Sequence, residues 1–352
     1  MKPFVWNGQP GRVVFGAGSL DRLADEMNTL GARRALVLST PEQRASAEQV
    51  ADLLGPRAAG IFDRAVMHVP IETAREARAV AGQLGADCAV AIGGGSTTGL
   101  GKAIALDSGL PIVCIPTTYA GSEMTPIYGI TEDGIKKTGR DPKVLPRVVI
   151  YDPELTLSLP VGMTVTSGIN AIAHAAEGLY ASDGNPIIDM MAQEGIAAVG
   201  RALPRIRANP RDLDARAEAL YGAWLCGAVL GSVSMALHHK LCHTLGGTWN
   251  LPHAETHTIV LPHALAYNAP AAPQAMLRIA QALGGPSAAQ AVHDLALDNG
   301  APVALRDLGM KAEDLDRACD LALQNRYPNP RPLEAHAIRQ LLQDAWEGRR
   351  PA

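Results

Sequence analysis

Two stretches of this 352-residue chain concentrate side chains able to do chemistry. The first is Gly93-Gly94-Gly95-Ser96-Thr97-Thr98-Gly99-Leu100-Gly101-Lys102. It follows the apolar run Cys88-Ala89-Val90-Ala91-Ile92 and opens a helical-looking segment that reaches about Leu106. Glycine lets a ligand approach the backbone closely, and the N–H groups and dipole at a helix N-terminus favour an anion such as pyrophosphate. The run has neither the ending of a P-loop nor a GxGxxG spacing, and a tight strand-to-helix turn is the bland alternative. A second strand end, Pro116-Thr117-Thr118-Tyr119-Ala120-Gly121-Ser122-Glu123, is small and polar. Ligands of open α/β sheets sit at the carboxyl ends of strands. The two ends together predict one nucleotide site, built from Gly93, Gly94, Gly95, Ser96, Thr97, Thr117, Thr118 and Ser122.

The second stretch is rich in histidine: six of the ten fall between His238 and His263. His239 and His243 are four apart, so on a helix they share a face. Asn170 and His174 repeat that spacing earlier in the chain. Two helices presenting such pairs, with His253 on a loop after Pro252, make a candidate metal or catalytic pocket. His68, His293 and His336 read as structural. Cys242, beside His243, reads equally as a reactive thiol and as a small buried hydrophobe.

These residues need a frame. Through about residue 155 short apolar runs alternate with amphipathic stretches: Ala35–Leu38 then Pro41–Leu54, Ile61-Phe62 then Glu72–Leu84, Cys88–Ile92 then the glycine run, and Ile112–Ile115. Val148–Tyr151 reads as a further strand. That alternation implies βαβ units and a parallel sheet covered by helices. Beyond about Pro160 apolar residues recur at helical spacing and strand signals nearly vanish. The predicted fold is an α/β nucleotide-binding domain over 1–157 followed by an all-α domain over 158–352.

Composition excludes several classes. Apolar residues make up 47% of the chain, enough for a core, and net charge is −4 with no basic run, which argues against nucleic-acid or anionic-membrane partners. Five scattered cysteines without a CxxC pair read as reduced cytosolic thiols. No signal segment is visible, so a cytoplasmic location is expected. The uncharged stretch Tyr221 to Leu237 is shorter than the roughly 20 apolar residues of a span and reads as a buried helix.

Taken together, these motifs resemble the iron-containing alcohol dehydrogenase superfamily and, within it, the maleylacetate reductases. The resemblance rests on Gly93-Gly94-Gly95-Ser96, Pro116-Thr117-Thr118 with Gly121-Ser122-Glu123, Gly168-x-Asn170 through His174-Ala175-x-Glu177, and His239 to His243 leading to Pro252-His253. Thr97-Thr98-Gly99 and Tyr327-Pro328-Asn329-Pro330 point to the narrower group. The resemblance implies NADH or NADPH in a cleft between the two domains, and a homodimer. It also implies NAD(P)H-dependent reduction of the carbon–carbon double bond of maleylacetate, a dicarboxylate, to 3-oxoadipate. Ser39 would face the adenosine ribose; no aspartate stands there to repel a 2′-phosphate.

Metal-dependent members hold their ion with an aspartate and three histidines. Here Asn170 replaces the aspartate, while His174, His239 and His253 match the rest. Gly99 also stands where those members carry an aspartate. Both changes remove negative charge, which suits a dianionic substrate. The expectation is therefore a vestigial site needing no metal, although three imidazoles can bind zinc or iron. His243 is expected to protonate the enolate left by hydride transfer, with His174, His239, His253 and Tyr119 as hydrogen-bond donors. The alternatives are a metal-dependent alcohol or glycerol dehydrogenase, a lyase resembling dehydroquinate synthase, and a non-catalytic nucleotide binder.

Overall fold

The structure, a computed structural model, describes residues 4–352 except 5, 7, 9, 10, 134, 325 and 326. It divides into two compact units, one ending at Leu159 and one beginning at Pro160. Phe4 and Trp6 group with the second unit, not with the sheet-bearing unit where the sequence reading put them.

Among its described residues the first unit holds eight strands: β1 (Arg12–Phe15), β2 (Ala35–Leu38), β3 (Ala58–Phe62), β4 (Cys88–Gly93), β5 (Ile112–Pro116), β6 (Ile127–Glu132), β7 (Ile135–Arg140) and β8 (Val148–Tyr151). Six of them form one sheet in the order β1-β8-β5-β4-β2-β3, every neighbouring pair parallel. The central strands are buried along their whole length, which is why they read as unbroken apolar runs. Val90, Ile92, Val113, Ile115, Val148 and Ile150 belong to one core cluster. Each such side chain contributes about 1.5–3 kcal/mol on burial. Helices α1 (Leu23–Thr29), α2 (Arg44–Leu54), α3 (Ile71–Gln83) and α4 (Gly95–Ser108) lie in the connections. The sequence reading missed β1, which is short, and the antiparallel β6–β7 pair.

The second unit is helical among its described residues: α5 (Val161–Gly178), α6 (Pro186–Ala208), α7 (Leu213–Ser232), α8 (Leu237–Trp249), α9 (His253–Asn268), α10 (Pro273–Leu283), α11 (Ala288–Asp298), α12 (Leu315–Leu323) and α13 (Ala335–Glu347). Tyr221 to Leu237 is not one helix: α7 stops at Ser232 and α8 starts at Leu237 after a 95° bend. Among the described residues no single helix is long and apolar enough to cross a membrane.

Histidines shape this unit's response to acid. His263 on α9 is buried, and desolvation pulls its imidazole down to about 4. The unfolded chain then binds a proton that the folded one refuses, between about pH 6.5 and pH 4. Stability is therefore complete above the unfolded value and falls with acidification, by up to about 1.4 kcal/mol per pH unit from this group. Urea unfolding at several pH values, with His263→Gln beside the unsubstituted protein, is expected to show a shallower acid slope in the variant. Equal slopes would remove His263 from the account.

Candidate functional site

The glycine turn is dictated by space. Gly93 sits at φ +147°, and a Cβ there would lie 2.6 Å from Thr97 Oγ1 and 2.7 Å from Gln43 Oε1. Gly94 caps α4 without a side-chain hydrogen bond, and a Cβ on it would stand 3.1 Å from Thr118. Gly95 is freer, with only ordinary contact to Ala120. Gly93 is in register with Pro116, and the Thr117 N–H donates to the Gly93 carbonyl at 3.1 Å. Gln43 Nε2 donates to Thr117 Oγ1 at 2.8 Å. The ends of β4 and β5 are thus one continuous surface, with β2 and Ser39 alongside.

Two hydroxyls there, Ser39 Oγ and Thr97 Oγ1, are buried without a hydrogen-bond partner. Buried hydroxyls are normally satisfied. Beside a helix N-terminus whose orphan N–H groups no side chain caps, this is a surface made for a polar, anionic ligand. A dinucleotide fits that donor set. Tyr119, expected to reach substrate, is fully buried. It shares that burial with Ser39 and Thr97.

Position 99 has a steric reason besides its charge. A Cβ on Gly99 would lie 2.8 Å from Val69 Cγ2. Val69 and His68 both adopt positive φ, +46° and +66°, a strained choice for a β-branched residue. Thr131 holds that turn through its hydroxyl to the His68 carbonyl and its N–H to the Val69 carbonyl. An aspartate at 99 would meet this turn directly.

A second candidate site, in the helical unit, is built on α5, α8 and α9. Asn170, His174 and Glu177 form one stripe along α5, at i, i+4 and i+7. Glu177 is fully buried and accepts from the N–H groups of Ala236 and His238, both at 2.8 Å, so it caps the start of α8. Its Oε2 also takes the Nδ1 proton of His239 at 2.7 Å. A carboxylate only accepts, so His239 carries its proton on Nδ1 and presents Nε2 as an acceptor. His174 Nδ1 lies 2.8 Å from that Nε2 and must donate. His174 Nε2 is then the acceptor for Asn170 Nδ2 at 3.3 Å. The chain Asn170–His174–His239–Glu177 has one proton order, set from its carboxylate end.

That order corrects a prediction. His174 and His239 are 3% and 4% exposed, and each gives its N–H to the next member of the chain. Neither has a donor left for substrate. His243 and His253 are the exposed imidazoles of the group. His253 is the first residue of α9 rather than a loop residue. Its ring centroid is 4.4 Å from that of His257, and the His239 and His243 centroids are 6.0 Å apart.

The same geometry tests the family's metal. Tetrahedral zinc with bonds of about 2.0–2.1 Å separates two ring nitrogens by about 3.3 Å. His174 and His239 stand closer, at 2.8 Å, and their inward lone pairs are engaged by donors within the chain. The fourth arm, Asn170, is a neutral amide. His174 and His239 are thus held nitrogen to nitrogen by a hydrogen bond rather than opened around an ion. His238, Cys242 and His257 also cluster, with donor atoms within 4.8 Å of one another, but His238 Nε2 and His257 Nδ1 are hydrogen-bonded at 2.9 Å.

Burial holds His238 and His257 well below the usual imidazole range, so both are neutral. Burial also pushes the Cys242 thiol well up, which settles its open reading in favour of a packed, unreactive thiol. Sequence reasoning gave Glu177 and His257 no role. Glu177 had a usable signal, since a lone acid in the apolar run Ala171–Gly178 must find a partner when buried. His257 repeats the i, i+4 spacing from His253.

The profile of the iron-containing alcohol dehydrogenase family matches residues 10–153, and that of the Fe-containing alcohol dehydrogenase family, C-terminal, matches 164–346. A maleylacetate reductase of Burkholderia cepacia is 67% identical over 352 residues, covering 100% of both chains. One from Pseudomonas sp. (strain P51) is 63% identical over 348 residues, 99% of each chain. The crystal structure of maleylacetate reductase from Agrobacterium tumefaciens superposes with a TM-score of 0.96 at 56% identity, covering 100% of both. The chain therefore belongs to the iron-containing alcohol dehydrogenase family and, within it, to the maleylacetate reductases.

Proposed function

We propose that the protein reduces the carbon–carbon double bond of maleylacetate to 3-oxoadipate with NADH or NADPH, and does so without a bound metal. The observation that carries this reading is the ordered chain from Glu177 to Asn170. It turns the one carboxylate of that chain into the N-terminus of α8 and commits His174, His239 and Asn170 to one another. A doubly negative substrate meets no opposing carboxylate there.

A reduced nicotinamide supplies the hydride. The alkene carbon remote from the ketone accepts it, and the electron pair moves onto the ketone oxygen as an enolate. His243 then delivers a proton to the other alkene carbon, restoring the ketone. His253 donates to a substrate carboxylate or to the ketone oxygen. Gly93, Gly94, Gly95, Ser96, Thr97, Thr117, Thr118, Ser122 and Ser39 hold the dinucleotide. The ketone conjugated to the alkene already draws electrons, so hydride addition needs little Lewis-acid help.

The deciding assay follows NADH absorbance with maleylacetate, with and without EDTA, on protein whose metal content has been measured. Oxidation is expected to be insensitive to chelator and to proceed with NADPH as well. Absence of turnover with maleylacetate, together with metal-dependent oxidation of simple alcohols, would replace this reading with a metal-dependent dehydrogenase.

A further inference from the structure

We propose that Lys102 is a positioning residue for the cofactor: it fixes the loop after β5 at a set distance from the glycine turn on α4. This rests on the reading that Gly93–Thr98 and Thr117–Ser122 hold the dinucleotide together. Lys102 lies two turns into the same helix whose N-terminus carries Gly95 to Thr98, and it is fully buried. Its Nζ donates to the Ser122 carbonyl at 2.6 Å, Thr125 Oγ1 at 2.9 Å and the Ile127 carbonyl at 2.7 Å. Ser122 closes the segment that Thr117 opens, and Ile127 begins β6. One side chain therefore ties the helix to both ends of the turn beyond the second cofactor-binding strand end.

The cage is specific for an ammonium. It offers three oxygens to a group with three N–H donors; a neutral amine has two, and Thr125 would have to turn its hydroxyl from the Ser122 carbonyl to donate to the nitrogen. Burial pulls Lys102 down to about 7 and pushes Glu123 up, while each opposite charge favours the other. Tyr151 donates to Glu123 Oε1 at 2.9 Å and holds that carboxyl in place. Stability alone does not call for this arrangement. Burying an ammonium is costly, and an apolar side chain of similar length is often as good or better for a packed helix. Leu100, Ala103, Ile104 and Ala105 already bury α4 on either side. What the lysine adds is directional: three short hydrogen bonds that hold a loop carrying cofactor groups.

The test is steady-state kinetics on Lys102→Met, with melting temperature measured alongside. The KM for NADH is expected to rise about tenfold or more, with kcat at saturating NADH within about threefold and the KM for maleylacetate unchanged. A lower melting temperature with an unchanged KM for NADH would reduce Lys102 to a structural role and overturn the proposal. So would a fall in kcat/KM shared equally by both substrates. If Lys102→Met does not fold, Thr125→Val removes one acceptor at nearly constant volume. It is expected to shift the KM for NADH in the same direction by less, and no shift would overturn the proposal. Gly94→Val separates this failure from that of the cofactor site. If it raises the KM for NADH while the other two variants do not, the tether alone falls. If it too leaves the KM unchanged, the cofactor-site reading falls.

Discussion

Replacing His243 by alanine is expected to lower kcat by about 10²–10⁴, the range over which a positioned proton donor acts. His243 is one of two exposed imidazoles on the histidine face. His174 and His239 have committed their donors to the next member of the chain, so neither can assume its task. Because the ring is exposed on α8, its loss should change unfolding free energy by no more than about 0.5 kcal/mol. The KM for NADH should stay as it is, since the residues proposed to hold the dinucleotide lie on the sheet-bearing unit. His253→Ala is expected to act differently, raising the KM for maleylacetate more than it lowers kcat. A kcat unchanged in His243→Ala would end that residue's assignment as donor. A loss of stability matching the loss of rate would end it too.

How much of this was legible depends on whether the partner of a residue is near it in sequence. The turn from β4 into α4 was readable because both of its signals are local: an apolar run, then glycines where a Cβ has no room. β8 coincides with the predicted Val148–Tyr151, four apolar residues buried on both faces. β1 was not readable. Arg12–Phe15 is an edge strand with exposed ends, so its burial pattern carries no clear run or alternation. In the histidine cluster, spacing predicted which residues share a helix face but not which of them meet water. His174 and His243 look alike in sequence and differ in exposure because α5 is buried on every face from Thr164 to Gly178, while α8 leaves His243 exposed. The roles of Lys102 and Glu177 lie furthest from the sequence. Each is a buried charge in an apolar stretch of helix, which says that a partner exists. The partners are backbone groups and side chains of other segments, Thr125 and His239 among them, and only the folded chain identifies them.

Glu177→Gln carries the second large expected effect. The carboxylate is fully buried and receives the N–H of Ala236, the N–H of His238 and the Nδ1 proton of His239. An amide in its place turns one acceptor into a donor. If the nitrogen faces His238, the first turn of α8 loses a cap and two N–H groups oppose each other. If it faces Ala236 and His239, then His239 must move its proton to Nε2. His174 must in turn move its own to its Nε2, and Asn170 must rotate its amide to accept. Either outcome costs about 1–3 kcal/mol for the unsatisfied buried group, to which the lost charge at a helix N-terminus adds up to about 2. The second outcome also reverses every proton in the chain beside the proposed substrate site. A kcat reduced about 10–100-fold is then expected, the usual penalty for disturbing the partner that orients a site histidine. Urea unfolding measures the first effect and NADH-oxidation kinetics the second. Nitrogen-15 shifts of the His239 ring report its tautomer, with the proton on Nδ1 in the unsubstituted protein. A glutamine variant equal in stability, rate and ring tautomer would show that the carboxylate does not set the order of the chain.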